Sequence, residues 1–175
     1  MKNFKGFTLI ELLIVIALLG ALAVGLLAAL DPFEQLKKGT DTGVRNTVSE
    51  VQGAIIRYYG IKNMMPWCSE LAADGSCATF RDTAAPAGTQ ISLLPNTIAE
   101  VITTGELKSD FEDLAGDATL AKIFVTGDDA TATVAVCYRP TSKSFLADPN
   151  SKYDASGVET VCAVGNLATC FWCVK

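Results

Sequence analysis

Apolar residues crowd one end of this chain. From Leu12 to Leu30 no charged residue occurs, and Leu, Ile, Val and Ala dominate. As a helix those positions measure about 28 Å, close to the thickness of a bilayer core. Lys2 and Lys5 precede the stretch, and the positive-inside rule keeps them cytoplasmic, so everything from Asp31 onward is expected outside. The stretch is too long for the apolar part of an ordinary secretory signal, and no Ala-x-Ala cleavage site closes it. One carboxylate interrupts the pattern. Glu11 stands inside the apolar run, where a charge is costly unless it stays near the headgroups or meets a cation.

Beyond the run the pattern becomes amphipathic. Asp31-Pro32-Phe33-Glu34 supplies a cap, a proline suited to a first helical position and an acidic first turn, which predicts a kink or restart. Val44, Val48, Val51, Ile55 and Tyr58 then follow the spacing of one helix face, which predicts an amphipathic helix over residues 33–62. Gly39, Gly43 and Gly53 weaken it locally. Residues 63–95 read as loops. Pro95 opens a short helix through Thr104, closed by Gly105. Lys122–Thr126 and Thr131–Tyr138 read as two strands around a Gly127-Asp128-Asp129 turn, with Ser144–Ala147 as a third, placing a sheet at about 120–147.

Composition narrows the chemistry. With 14 Lys and Arg against 19 Asp and Glu, the net charge of −5 argues against nucleic acid as a main ligand. The absence of histidine removes Ser-His-Asp and Cys-His catalysis and every histidine metal site. Six cysteines, all outside the apolar run, fit an oxidising compartment.

Gly6-Phe7-Thr8-Leu9-Ile10-Glu11-Leu12-Leu13-Ile14-Val15 resembles the N-terminal signature of type IV pilins and pseudopilins. The resemblance implies a leader, residues 1–6, cut after Gly6, with N-methylation of the new terminus Phe7 and a functional Glu11. It implies a pilin-like α+β fold: a long N-terminal helix, membrane-spanning in its first half and amphipathic in its second, packed on a small antiparallel β-sheet. Residues 7–30 then form the transmembrane and filament-core helix, and residues 31–175 the extracytoplasmic domain with a Cys-rich tail. Cutting after Gly6 frees an ammonium at Phe7, four residues from Glu11. Between staggered subunits, that ammonium and the Glu11 carboxylate would offset each other's desolvation and set the axial register. Ala17, Ala21, Gly25 and Ala29 recur every four residues, a small-residue stripe that lets helix backbones approach.

The expected function is therefore that of a structural, non-enzymatic filament subunit without cofactor or metal. Its expected partners are its own copies, a prepilin peptidase and methylase, an assembly platform and an ATPase. The precursor is expected in the cytoplasmic membrane and the assembled form outside the cell. A pseudopilin of a secretion or DNA-uptake machine is the alternative within the family.

Other chemistry competes at the cysteines. Cys68, Cys77, Cys137, Cys162, Cys170 and Cys173 allow many pairings. Spacing favours Cys68–Cys77 and Cys137–Cys162, leaving Cys170 with Cys173. A redox Cys-Phe-Trp-Cys at Cys170 and Cys173 would instead make the chain a membrane-anchored thiol oxidoreductase. An all-cysteine zinc site from Cys137, Cys162, Cys170 and Cys173 is a further alternative, although only one Cys-x-x-Cys is present. Asp148, Asn150, Asp154 and Glu159 follow a calcium-loop register, against which stand Lys152 at a ligand position and Tyr153 where glycine belongs.

Overall fold

The computed structural model describes residues 6–160 and 170–175. It divides into two compact units, Met1–Leu36 and Lys37–Lys175.

The first unit holds helix α1, Leu9–Ala29, in which Leu, Ile, Val and Ala supply nearly every position. None of the described residues in this helix is buried. Leu30 and Asp31 interrupt the helix. Helix α2, Pro32–Lys62, restarts with Pro32 in its first turn, where the missing N–H costs nothing. The Asp31 Oδ1 accepts the Glu34 N–H at 3.3 Å, as the Asp-Pro-x-Glu pattern anticipated.

The second unit is built on the remainder of α2. Val44, Val48, Val51, Ala54, Ile55 and Tyr58 are buried, on the face that the sequence spacing marked. They share one core with Ile123, Val125, Val134 and Val136 of the sheet. The elements after α2 are β1 (Cys68–Leu71), β2 (Cys77–Phe80), β3 (Ala87–Gln90), a short 3-10 turn at Ile91–Leu93, α3 (Pro95–Thr103), α4 (Phe111–Ala115) and α5 (Asp117–Leu120). They continue with β4 (Ile123–Asp128), β5 (Thr133–Tyr138), α6 (Lys143–Leu146) and β6 (Trp172–Val174). β1 and β2 form a separate hairpin, and β3-β4-β5-β6 form an antiparallel four-stranded sheet. The fold is α+β, with long helices and small antiparallel sheets.

β5 is covered on both faces. Val134, Val136 and Tyr138 belong to the α2-side core, while Ala135 and Cys137 form a smaller cluster with Cys173, Phe124, Tyr153 and Phe171. This explains the near-continuous apolar sequence of β5.

Three expectations require correction. The Gly127-Asp128-Asp129 turn is displaced: Gly127 and Asp128 belong to β4, and the reversal follows, with Ala132 at φ 52°. Gly127 is required for a different reason, since a Cβ there would overlap the Trp67 ring. Ser144–Ala147 does not form a third strand, because Lys143–Leu146 is helical and the place beside β5 is taken by β6. Residues 63–95, read as loops, contain β1, β2 and β3, whose four-residue lengths are too short to impose a clear alternation.

Candidate functional site

The N-terminal segment begins outside the helix. Gly6, Phe7 and Thr8 precede α1 in non-helical conformation, and Phe7 is 86% exposed. Thr8 and Glu11 form a reciprocal capping box. The Thr8 N–H and O–H both donate to Glu11 Oε2, at 2.8 and 2.7 Å, and Thr8 Oγ1 accepts the Glu11 N–H at 3.3 Å. The carboxylate that interrupts the apolar run therefore lies at the helix entrance, with polar partners one turn back. Thr8 was legible in the Thr-x-x-Glu pattern, a known helix-start signal, yet its partnership with Glu11 was not part of the expectation. Ala17, Ala21, Gly25 and Ala29 all lie on the exposed α1 surface, and neither Gly20 nor Gly25 has a neighbour within 4 Å of an added Cβ.

Residues 1–27 match the prokaryotic N-terminal methylation motif. This is a type IV pilin-like N-terminus. The motif supports a type IV pilin-like family, and with the apolar α1 it supports a membrane-anchored precursor. It points to a structural, non-enzymatic protein, and it implies processing by a prepilin peptidase and pilus assembly. No curated protein and no solved structure matches the chain.

The second unit resolves much of the cysteine question. Cys68 is joined to Cys77, tying β1 to β2. Cys137 is joined to Cys173, which corrects the expected Cys137–Cys162 and Cys170–Cys173 pairs. The reason is sheet geometry: β6 lies beside β5, and Cys137 and Cys173 are register partners. Cys170 is buried and disulfide-bonded, and Cys162 lies outside the described residues. Because Cys173 is bonded to Cys137, Cys170 and Cys173 do not form the dithiol pair of a Cys-x-x-Cys redox site. The same bond removes two thiolates from the proposed zinc set.

The calcium-loop register is also occupied by protein partners. Asp148 pairs with Arg45 at 3.5 Å and accepts the Asn150 N–H. Asp154 accepts from the Ser156 N–H and O–H and from the Val158 N–H. Burial opposes its charge, but these donors prevail and hold its carboxyl below the usual range. Glu159 bonds Lys152 at 2.8 Å; this contact lowers the Glu159 pKa and raises that of Lys152. Among the described residues, no three Asp, Glu or Cys side chains gather as a metal site. A groove of about 480 Å³ includes Ile56, Asp128, Ser156 and Lys175 in its lining.

Two further residues organise the head, and neither was singled out in the sequence. Asp41, 2% exposed, accepts the Thr141 N–H, the Thr141 O–H and the Ser142 N–H, at 2.7–3.1 Å, bridging 100 positions of sequence. Arg45, one turn on, stacks over the Trp172 ring at 4.3 Å and so ties α2 to β6. Tyr138 is buried nearby. Burial pushes its hydroxyl pKa up, and Asp41 adds to the shift.

Proposed function

We propose that this chain is the prepilin form of a structural subunit of a type IV pilus-like filament. After cleavage between Gly6 and Phe7 and N-methylation of Phe7, its N-terminal helix polymerises. One observation carries the reading: an apolar helix opened by the methylation motif, in which no residue of Leu9–Leu27 is buried within its own molecule. A helix of that composition needs lipid or other helices around it. Lipid would surround it in the precursor and copies of α1 would surround it in the fibre. Residues 1–6 serve as the leader, 7–30 as the filament-core helix and 31–175 as the extracytoplasmic domain.

Within a bundle of such helices, Ala17, Ala21, Gly25 and Ala29 allow close backbone approach. Glu11 is the electrostatic contact. Its capping box offsets part of the carboxylate's desolvation in the isolated subunit, and the Phe7 ammonium of a neighbour compensates its charge in the fibre. Prepilin peptidase and methylase, an assembly platform, its ATPase and further copies are the partners this role requires.

Substitution at Glu11 separates insertion from assembly. Glu11→Val should leave the membrane level of the chain unchanged or raised, because the apolar run becomes cleaner. Sheared surface fibre should fall well below wild type and below a neutral change at Leu12. A normal fibre yield from Glu11→Val would reduce Glu11 to a helix-capping residue without an assembly role.

A further inference from the structure

The charges of the second unit are distributed unevenly. Between Lys37 and Lys175 there are 12 Lys and Arg against 16 Asp and Glu. Five of those cations, Lys37, Lys38, Arg45, Arg139 and Lys143, lie within a helical turn or two residues of the contact between Asp41 and Thr141-Ser142. Lys37, Lys38 and Arg45 stand four and three positions before Asp41 and four after it, so they share its helix face. Arg139 and Lys143 flank the segment that Asp41 holds, and both are exposed. The carboxylates of this rim are Asp41, whose oxygens are committed to Thr141 and Ser142, and Asp148, which faces Arg45. The rim therefore carries +3, or +2 when Glu34, one turn earlier on α2, is included. The rest of the unit carries 7 cations against 14 carboxylates.

The position along the chain matters as much as the charge. Lys37 follows Leu30, the end of the apolar run, by seven residues, a span of at most about 25 Å even when fully extended. Lys37, where the second unit begins, is thus tethered within that span of the end of the apolar run. We propose that Lys37, Lys38, Arg45, Arg139 and Lys143 form a seat for the anionic phospholipid headgroups of the membrane that anchors α1, an inference that rests on the membrane-anchored precursor. Seating draws the basic rim to the bilayer and leaves the acidic remainder of the unit to be repelled from it, so it orients the head before assembly. The tether favours this partner over the acidic surface of a second copy, which must first be brought alongside.

The test uses the full chain in nanodiscs of phosphatidylcholine alone or with phosphatidylglycerol, followed by hydrogen exchange. With anionic lipid, amides of 36–45 and 139–147 should exchange about fivefold or more slowly, the factor that one basic residue's attraction to such a surface gives. The difference should vanish in about 0.5 M salt. It should also vanish in a Lys38→Gln, Arg139→Gln, Lys143→Gln variant and persist when Lys38 and Lys143 become Arg, with exchange in β4 and β5 unchanged throughout as a check on folding. Equal exchange in both discs by inserted wild-type chain overturns the seat while leaving anchoring intact. Slowing that needs two copies per disc and survives in phosphatidylcholine also overturns it, in favour of a second copy as partner. Failure of the chain to insert in either disc overturns the anchoring on which the seat depends.

Discussion

Gly127 has no room for a β-carbon, because the Trp67 ring lies where that carbon would sit and the indole N–H is fixed by Asp129 at 3.0 Å. Gly127→Ala must therefore displace a wholly buried Trp67, and overpacking of this kind costs about 1–3 kcal/mol. Urea unfolding of the chain in detergent, followed by tryptophan fluorescence, should show that loss; an unchanged midpoint would mean the ring relocates freely. Asp154 makes a different prediction. Its folded-state pKa is depressed, so its contribution is present above the unfolded carboxylate value of about 3.9 and is lost as pH falls through the lower folded value. Hydrogen exchange in residues 153–158 should accelerate below about pH 4. Asp154→Ala should show the faster exchange already at pH 7 and lose the acid dependence. An acid response unchanged in Asp154→Ala would assign it to another group.

At the scale of elements, legibility followed length and periodicity. The apolar run and the spacing of Val44 through Tyr58 each repeat over several turns, so both were readable in the sequence, and α1 and α2 lie close to their expected bounds. β6 has three residues, too few for a pattern, and it joins a sheet whose nearest strand lies more than thirty residues away in sequence. The Cys137–Cys173 bond was hidden for the same reason: local spacing pointed Cys137 towards Cys162, whereas strand order brings Cys173 opposite it. Asp41 was equally unreadable, since a carboxylate on a helix resembles any solvated charge until its partners 100 positions away arrive. Thr8 was readable in principle, as half of a Thr-x-x-Glu signal. The strand pairing yields a prediction. Non-reducing peptide mapping should recover Cys68 with Cys77 and Cys137 with Cys173. Replacing Cys137 and Cys173 by Ser should lower stability by about 2–4 kcal/mol and loosen β6 first. Recovery of a Cys137–Cys162 peptide would contradict the sheet order.

For the whole molecule, the two units divide the work. The first, Met1–Leu36, contains the apolar helix and the processing motif, while the second, Lys37–Lys175, contains a closed core on α2 and two disulfides among its described residues. On the proposed reading, one unit joins the fibre axis and the other forms its surface, with the cut after Gly6 as the step that commits the chain to assembly. Removing the leader takes Lys2 and Lys5 with it, which shifts the net charge from −5 to −7 and places the only charge of the new terminus at Phe7. The most direct measurement is intact-protein mass spectrometry of filaments sheared from the cell surface. The account predicts this chain among them, beginning at Phe7 and carrying one added methyl group. A surface chain that begins at Met1 or near Asp31, or the absence of this chain from sheared filaments, would contradict it.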